Sequence, residues 1–193
     1  ILEDFGEGED LEEFDENSIK NLTDEERQCL HKFLQTIQSN KENDPKYQLT
    51  YDLLVEKNWL EKGCIIFSQY YDSAFWVAEK LSRDLKNTMI GIYAGGDKSG
   101  IWLDGVFYKK TKEQLKTMVK NRELKVLVGT DAASEGLNLQ TLGTLINLDL
   151  PWNPTRLEQR KGRIQRIGQI NDKVYIYNMR YKNSVEEKVH AIL

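Results

Sequence analysis

The chain has 193 residues, 39% of them hydrophobic and 10% aromatic, which suits one globular domain with an appended helical segment. No apolar run approaches the roughly 20 residues of a membrane-spanning helix, no signal peptide is visible, and two cysteines, Cys29 and Cys64, make neither a disulfide framework nor a metal pattern. The net charge of −4 hides an asymmetry: residues 1–26 hold twelve Asp/Glu against one Lys (−11), and residues 27–193 hold 26 Lys/Arg against 19 Asp/Glu (+7).

The expected setting is therefore cytoplasmic, nucleoid-associated if the source is bacterial, with no membrane partner. The mildly basic body suits an anionic partner. The start at Ile1 reads as a piece of a longer protein.

In chain order, residues 1–22 form an acidic lead-in, expected to be solvated and poorly ordered. A helical connector spans 23–62. In "TDEERQCLHKFLQTI", Thr23 and Glu26 have the spacing of a capping box, and Cys29, Leu30, Phe33, Leu34 and Ile37 recur at helical period. In "DPKYQLTYDLLVEKNWL", Asp44 is the N-cap and Pro45 the first helical residue.

From 63 to 193, apolar runs of strand type alternate with helices. "CIIFS" (64–68) precedes a helix over about 71–85, "TMIGIY" (88–93) precedes a helix over 111–121, and "KVLVG" (125–129) and "TLINLDL" (144–150) follow. A helix opens at Asn153–Pro154, then come "KVYIYNM" (173–179) and a final helix in "SVEEKVHAIL". This alternation predicts an α/β fold, a parallel sheet with helices on both faces. "GGDKSGIWLDGVFYKK" fits no regular element and is expected to form an irregular loop or insertion; its exposed Trp102 and Phe107 are expected to pack against the domain.

Parallel sheets bind ligands beyond the carboxyl ends of their strands, which draws attention to the segments following them. After the fourth comes "PWNPTRLEQRKGRIQRIGQ", with Arg156, Arg160, Arg163 and Arg166 spaced four, three and three apart. At helical pitch these fall within an arc of roughly 120°. Four guanidiniums on one face repel one another unless an anion answers them, and the planar fork suits phosphate oxygens. A merely solvated basic face is the competing reading. Gly162 and Gly168 weigh against it, because glycine inside a helix costs about 1 kcal/mol, so close approach of another backbone is expected.

After the third strand, "GTDAASEGLNLQ" offers small residues with polar groups at Thr130, Asp131, Ser134, Glu135 and Asn138, suited to a phosphate or sugar. "GIYAGGDKSG" spaces Gly91 and Gly96 like a phosphate-binding P-loop, but Asp97 intervenes before Lys98 and Ser99. No Walker A loop is present. His31 and His190 stand too far from other chemistry for a metal site or a triad, so no metal ligands are assigned.

Taken in order and spacing, "CIIFSQY", "GTDAASEGLNLQ" and "LINLDLPWNPTRLEQRKGRIQRIGQ" resemble motifs IV, V and VI of Swi/Snf-like ATPases of helicase superfamily 2. The resemblance runs from about Lys46 to the end, and "PWNP" is similar to bacterial members, including the RNA-polymerase-recycling group. It implies the C-terminal RecA-like lobe of a double-stranded-DNA translocase. The N-terminal RecA-like lobe of the same protein would hold ATP and most contacts to Mg2+, and DNA, with RNA polymerase or another DNA-bound protein, would be the partner.

By motif position, the resemblance makes Arg163 and Arg166 arginine fingers and puts Gln159 beside the γ-phosphate or the attacking water. Gly136 and Asn138 would contact the nucleotide, and Ser68, Gln69 and Thr130 the phosphates of one DNA strand. Lys161 and Gln165 depart from the family's aliphatic residue and histidine, and Lys109, Lys110 and Lys112 stand where it carries an arginine. An RNA-directed helicase lobe and a non-catalytic nucleic-acid-binding module remain as alternatives.

Overall fold

The computed structural model describes residues 22–40, 43–131, 137 and 139–192, so the acidic lead-in lies outside the described residues. The chain divides into two compact units, residues 1–49 and 50–193. In the first, helix α1 (Asp24–Asn40) begins as its capping box requires: Glu26 N–H donates to Thr23 Oγ1, while Thr23 N–H and Oγ1–H donate to the Glu26 carboxylate. The apolar stripe of Leu30, Phe33, Leu34 and Ile37 on α1 is exposed. Helix α2 (Pro45–Val55) runs across the division between the units.

The second unit is built on a seven-stranded sheet. After a single turn, α3 (Trp59–Lys62), come β1 (Cys64–Ser68), α4 (Tyr71–Asp84), β2 (Ile90–Tyr93), β3 (Gly100–Leu103), β4 (Val106–Lys109), α5 (Lys112–Lys120), β5 (Val126–Thr130), β6 (Thr144–Asn147), α6 (Pro154–Ile164), β7 (Tyr175–Asn178) and α7 (Val185–Ile192). The strand order is β4-β3-β2-β5-β1-β6-β7. Strands β2, β5, β1, β6 and β7 are parallel, and β3 and β4 join the β2 edge antiparallel.

The central strands read as unbroken apolar runs because both faces are covered. All five residues of β1 and all five of β5 are buried. On one face Ile65, Phe67, Leu127, Leu145 and Ile101 form a core with Leu115 and Val119 of α5 and Ile164 of α6. The alternate residues face α4, which lies across β1, β2, β3 and β5 and buries Ala74, Val77, Ala78 and Leu81. Burial pushes the Cys64 thiol up to about 12, which leaves it an inert packing residue. The expected α/β sheet with helices on both faces is present.

Two expectations are corrected at the sheet edge. "GGDKSGIWLDGVFYKK" is not irregular, since its second half is the β3–β4 hairpin, and the sheet is mixed rather than wholly parallel. Asp104 and Gly105 both take positive φ, 50° and 80°, as a two-residue hairpin turn between apolar runs requires. The turn is tied down by Asn87 N–H to Asp104 Oδ1 at 2.9 Å and Gly105 N–H to Ser82 Oγ at 3.1 Å. Nor is Trp102 exposed. It is buried, with Phe75 and Phe107 rings each 5.2 Å away, so the aromatic cluster fastens the hairpin to α4 as the packing expectation held.

Gly91 cannot serve a P-loop because it lies within β2, where a Cβ would meet Leu124 and Leu127 side chains at 2.6 and 2.7 Å. Gly100 is as tightly confined: a Cβ there would come 2.4 Å from the Phe107 ring and 2.6 Å from the Tyr108 carbonyl oxygen. Gly100→Ala should therefore destabilise the domain by ~1–3 kcal/mol through forced displacement of the hairpin. Urea unfolding measures this, and an unchanged midpoint would mean that Phe107 does not pack over β3 as described.

Candidate functional site

The carboxyl ends of β5, β1 and β6 lie side by side, and the residues following them converge on one guanidinium. Helix α6 starts with Asn153 as N-cap, its side chain accepting from Thr155 N–H at 2.9 Å, and Pro154 at the first helical position. Its buried stripe is Leu157, Arg160 and Ile164, at spacings of three and four. An arginine thus occupies a position that would ordinarily hold an aliphatic residue.

Arg160 is 1% exposed. Its Nε and Nη2 donate to the two carboxylate oxygens of Asp131 at 2.5 and 2.7 Å, a bidentate fork. Nη1 donates to Asn147 Oδ1 and to the Asp149 carbonyl, each at 2.9 Å, and the Asp149 carboxylate is 3.5 Å from Nη2. The guanidinium also lies over the Phe67 ring, 5.3 Å from its centroid. The Asn147 side-chain amide nitrogen in turn donates to Asn178 Oδ1 of β7 at 2.7 Å. One side chain of α6 therefore gathers the ends of β5 and β6, with β7 joined through Asn147.

This arrangement corrects the reading of four arginines sharing an anion on one open face. The anion answering Arg160 is internal, supplied by Asp131 and Asp149. Asp131 is accordingly not available to a sugar or phosphate. The helix ends at Ile164 with Gln165 as its cap, so Arg166 belongs to the following turn and not to the helical arc.

Ser68 and Gln69 enter the same network. Ser68 is fully buried, and its hydroxyl donates to Asp149 Oδ2 at 2.6 Å while accepting from Tyr70 N–H at 3.2 Å. Gln69 N–H donates to the Asp149 carboxylate at 2.9 Å, and its side-chain amide to the Leu150 carbonyl at 3.2 Å. The hydroxyl expected to meet a DNA phosphate is thus committed to holding Asp149. Thr130, the register partner of Ser68 at the end of β5, is 7% exposed. Gly136 and Asn138 lie outside the described residues.

The three residues expected to act on phosphate stand apart from this buried network. Gln159 and Arg163 are four apart on α6, Gln159 exposed and Arg163 half-buried; Arg166 is exposed. Arg163 Nε is buried without a hydrogen-bond partner, a deficit that a buried guanidinium nitrogen rarely carries. Among the described residues neither Arg163 nor Arg166 is in an ion pair.

Their turn is stiff. Gln140, at the end of "SEGLNLQ", donates from Nε2 to the Ile167 carbonyl and accepts from Ile170 N–H at its own backbone carbonyl, 3.1 Å away. Gln169 Nε2 donates to the carbonyls of Leu142 and Ile164 at 3.0 and 2.9 Å. Gly168 adopts φ +91°, and a Cβ there would crowd Gln140 Nε2 at 2.9 Å, so this glycine is explained within the chain. A Cβ at Gly162, by contrast, would meet nothing within 4 Å.

At the hairpin end of the same edge, Lys109 pairs with Asp97 at 2.9 Å, while Lys98 and Lys112 lie over the rings of Tyr71 and Tyr93 at 4.8 and 5.4 Å. Among the described residues no group of three or more His, Cys, Asp or Glu is placed to hold a metal ion, and no helix is long and apolar enough to cross a membrane.

Removing Arg160 strips the largely buried carboxylates of Asp131 and Asp149 of their guanidinium. Arg160→Met should cost about 3–5 kcal/mol of stability in the isolated domain, and Arg160→Lys should recover only part, because an ammonium has no bidentate fork. Equilibrium urea denaturation reads both, and a loss under about 1 kcal/mol for the methionine variant would remove the ion pair from its organising role.

Residues 45–168 match the helicase conserved C-terminal domain family. The chain is 46% identical over 95 residues to the uncharacterized ATP-dependent helicase YqhH of Bacillus subtilis strain 168, covering 49% of this chain and 17% of that protein. It is 51% identical over 47 residues to the RNA polymerase-associated protein RapA of Vibrio atlanticus strain LGP32, covering 24% of this chain and 5% of RapA. The matched region is thus less than a fifth of either relative. A crystal structure of the C-terminal part of the Fun30 ATPase domain superposes with a TM-score of 0.58 at 19% identity, over 91% of this chain and 56% of that one, and carries the fold alone. The matched family, the relatives and the motif-bearing carboxyl edge agree: the chain belongs to the helicase conserved C-terminal domain family, as a RecA-like lobe of Swi/Snf-like ATP-dependent helicases.

Proposed function

We propose that this domain is the second motor lobe of an ATP-dependent DNA translocase, supplying Arg163 and Arg166 to an ATP site whose other wall is the N-terminal lobe of the same protein. The observation that carries the reading is Arg163 Nε, buried and unpartnered at the end of α6, beside an exposed Arg166 on a turn fixed from both sides. A guanidinium so placed is short of one acceptor, and phosphate oxygens are acceptors of matching geometry. As charge builds on the transferring phosphoryl group, two such forks stabilise it, an effect worth about 10³–10⁵ in rate in related systems. Gln159, one helical turn before Arg163, would orient the phosphate or the attacking water. Gly136 and Asn138, in the segment that follows β5 in the sequence, would approach the nucleotide. Mg2+ would be held mainly by the first lobe and would supply charge neutralisation there.

The DNA track follows the carboxyl edge. Gln69 and Thr130 would meet the phosphates of one strand, and Ser68 would act one step removed, holding Asp149 and with it the Gln69 backbone. Phosphate contacts imply little sequence preference and strong sensitivity to salt. The association of RapA with RNA polymerase makes a DNA-bound polymerase a candidate obstacle for such a motor. Domain closure on ATP and opening after hydrolysis would shift the grip along the strand.

The isolated domain should fold yet hydrolyse ATP negligibly, and appreciable turnover by it alone would end the half-site reading. In the full-length enzyme, Arg163→Ala or Arg166→Ala should lower DNA-stimulated turnover about 100-fold or more, measured as steady-state phosphate release. Near-normal rates in both would place the fingers elsewhere.

A further inference from the structure

We infer that Ile167 is an apolar anchor that seats the Arg163–Arg166 turn against the nucleotide-bearing lobe of the same polypeptide. This rests on the two-lobe reading above and adds a positioning residue to it.

Ile167 is 100% exposed, the most exposed large hydrophobic side chain among the described residues. Single exposed aliphatic residues are ordinary on protein surfaces. This one stands on a turn that is held from several sides. Its own carbonyl accepts from Gln140, the next residue is a glycine held at φ +91°, and Gln169 binds the carbonyls of Ile164 and Leu142. Asn171, from its backbone N–H and its side chain, fixes Gln169 Oε1 at 3.0 and 2.8 Å. The turn is built so that a β-branched side chain stands fully in solvent between Arg166 and Gly168.

The neighbourhood points to the occupant. Five residues earlier Gly162 is exposed and has open space where a Cβ would be, so a second backbone can come close to α6 there. Arg163 and Arg166 flank the same stretch and demand negative charge. A second copy of this chain would bring its own arginines to that surface, a like-charge meeting, and a DNA backbone offers phosphates without an apolar recess for an isoleucine. A protein wall carrying bound nucleoside triphosphate offers both. Inserting Ile167 into it would fix the distance and angle at which the two guanidiniums reach the phosphates, and small misplacements of catalytic groups are costly.

The test uses the full-length enzyme with saturating DNA, comparing Ile167→Ser, Ile167→Val and Arg163→Ala by steady-state ATPase kinetics, DNA binding and thermal melting. Ile167→Ser should lower kcat about 10-fold or more while KM for ATP, DNA affinity and melting temperature stay near those of the parent, and Ile167→Val should restore turnover. Normal kcat in Ile167→Ser beside an inactive Arg163→Ala overturns the anchor and leaves the two-lobe reading intact. A matched loss of DNA affinity makes Ile167 a DNA contact, and a lowered melting temperature makes it part of this domain's own packing; either overturns the proposal. Full turnover in both Ile167→Ser and Arg163→Ala overturns the anchor together with the finger role of Arg163, whereas the two-lobe reading itself falls only if the isolated domain hydrolyses ATP.

Discussion

Arg160 is the charge on which the carboxyl edge depends. Burying a guanidinium in this position carries a desolvation penalty of several kcal/mol, offset only when geometry and hydrogen bonding are complete. Here they are: a bidentate pair with Asp131, two further acceptors on Nη1, the Asp149 carboxylate close by and an aromatic face beneath. An aliphatic residue in its place would fill the volume and specify nothing about direction. The ion pair is directional, and it draws its partners from β5 and from the segment after β6, whose alignment the sheet ladders alone leave adjustable beyond the last strand residue.

That alignment sets what the rest of the edge can do. Asp149, held by Arg160 on one side, receives the Ser68 hydroxyl and the Gln69 backbone on the other, so the exit of β1 is fixed by the same carboxylate. Ile164, on the same buried stripe of α6, enters the core below the sheet and settles the far end of the helix. With both ends of α6 fixed, Gln159 lies exposed and Arg163 half-buried beside the buried stripe. Gln140 and Gln169 then continue the rigidity past the helix, through the turn that carries Arg166. Arginines that look alike in the sequence thus differ in the fold: Arg160 is spent on structure, while Arg163 and Arg166 are in no ion pair among the described residues.

The β3–β4 hairpin, on the β2 side of the sheet, shows a second way in which local chemistry and packing cooperate. Asp104 and Gly105 make the turn, and Phe75, Trp102 and Phe107 make it adhere to α4. The turn signal was readable beforehand in "WLDGVF", where Asp-Gly separates two apolar runs. It was obscured by the Gly-rich residues before it, "GGDKSG", which carry no periodicity of either kind.

Much of the fold was set by local pattern. Unbroken apolar runs at 64–68 and 125–129 specify strands buried on both faces, Thr23 and Asn153 specify helix starts through bonds to their own neighbours, and Pro154 does so through its fixed φ. The motif wording likewise located the carboxyl edge and the segment carrying Arg163 and Arg166. What sequence could not separate was the fate of four similar arginines, because a helical period gives angle around the axis but not which side meets the sheet. That was decided by Leu157 and Ile164 going into the core and taking Arg160 with them. Nor could it show that the Ser68 hydroxyl answers a carboxylate 81 residues away. Partners so distant along the chain meet only when parallel strands bring their ends together, and hydrogen-bond geometry then assigns each proton to an acceptor that spacing alone never names.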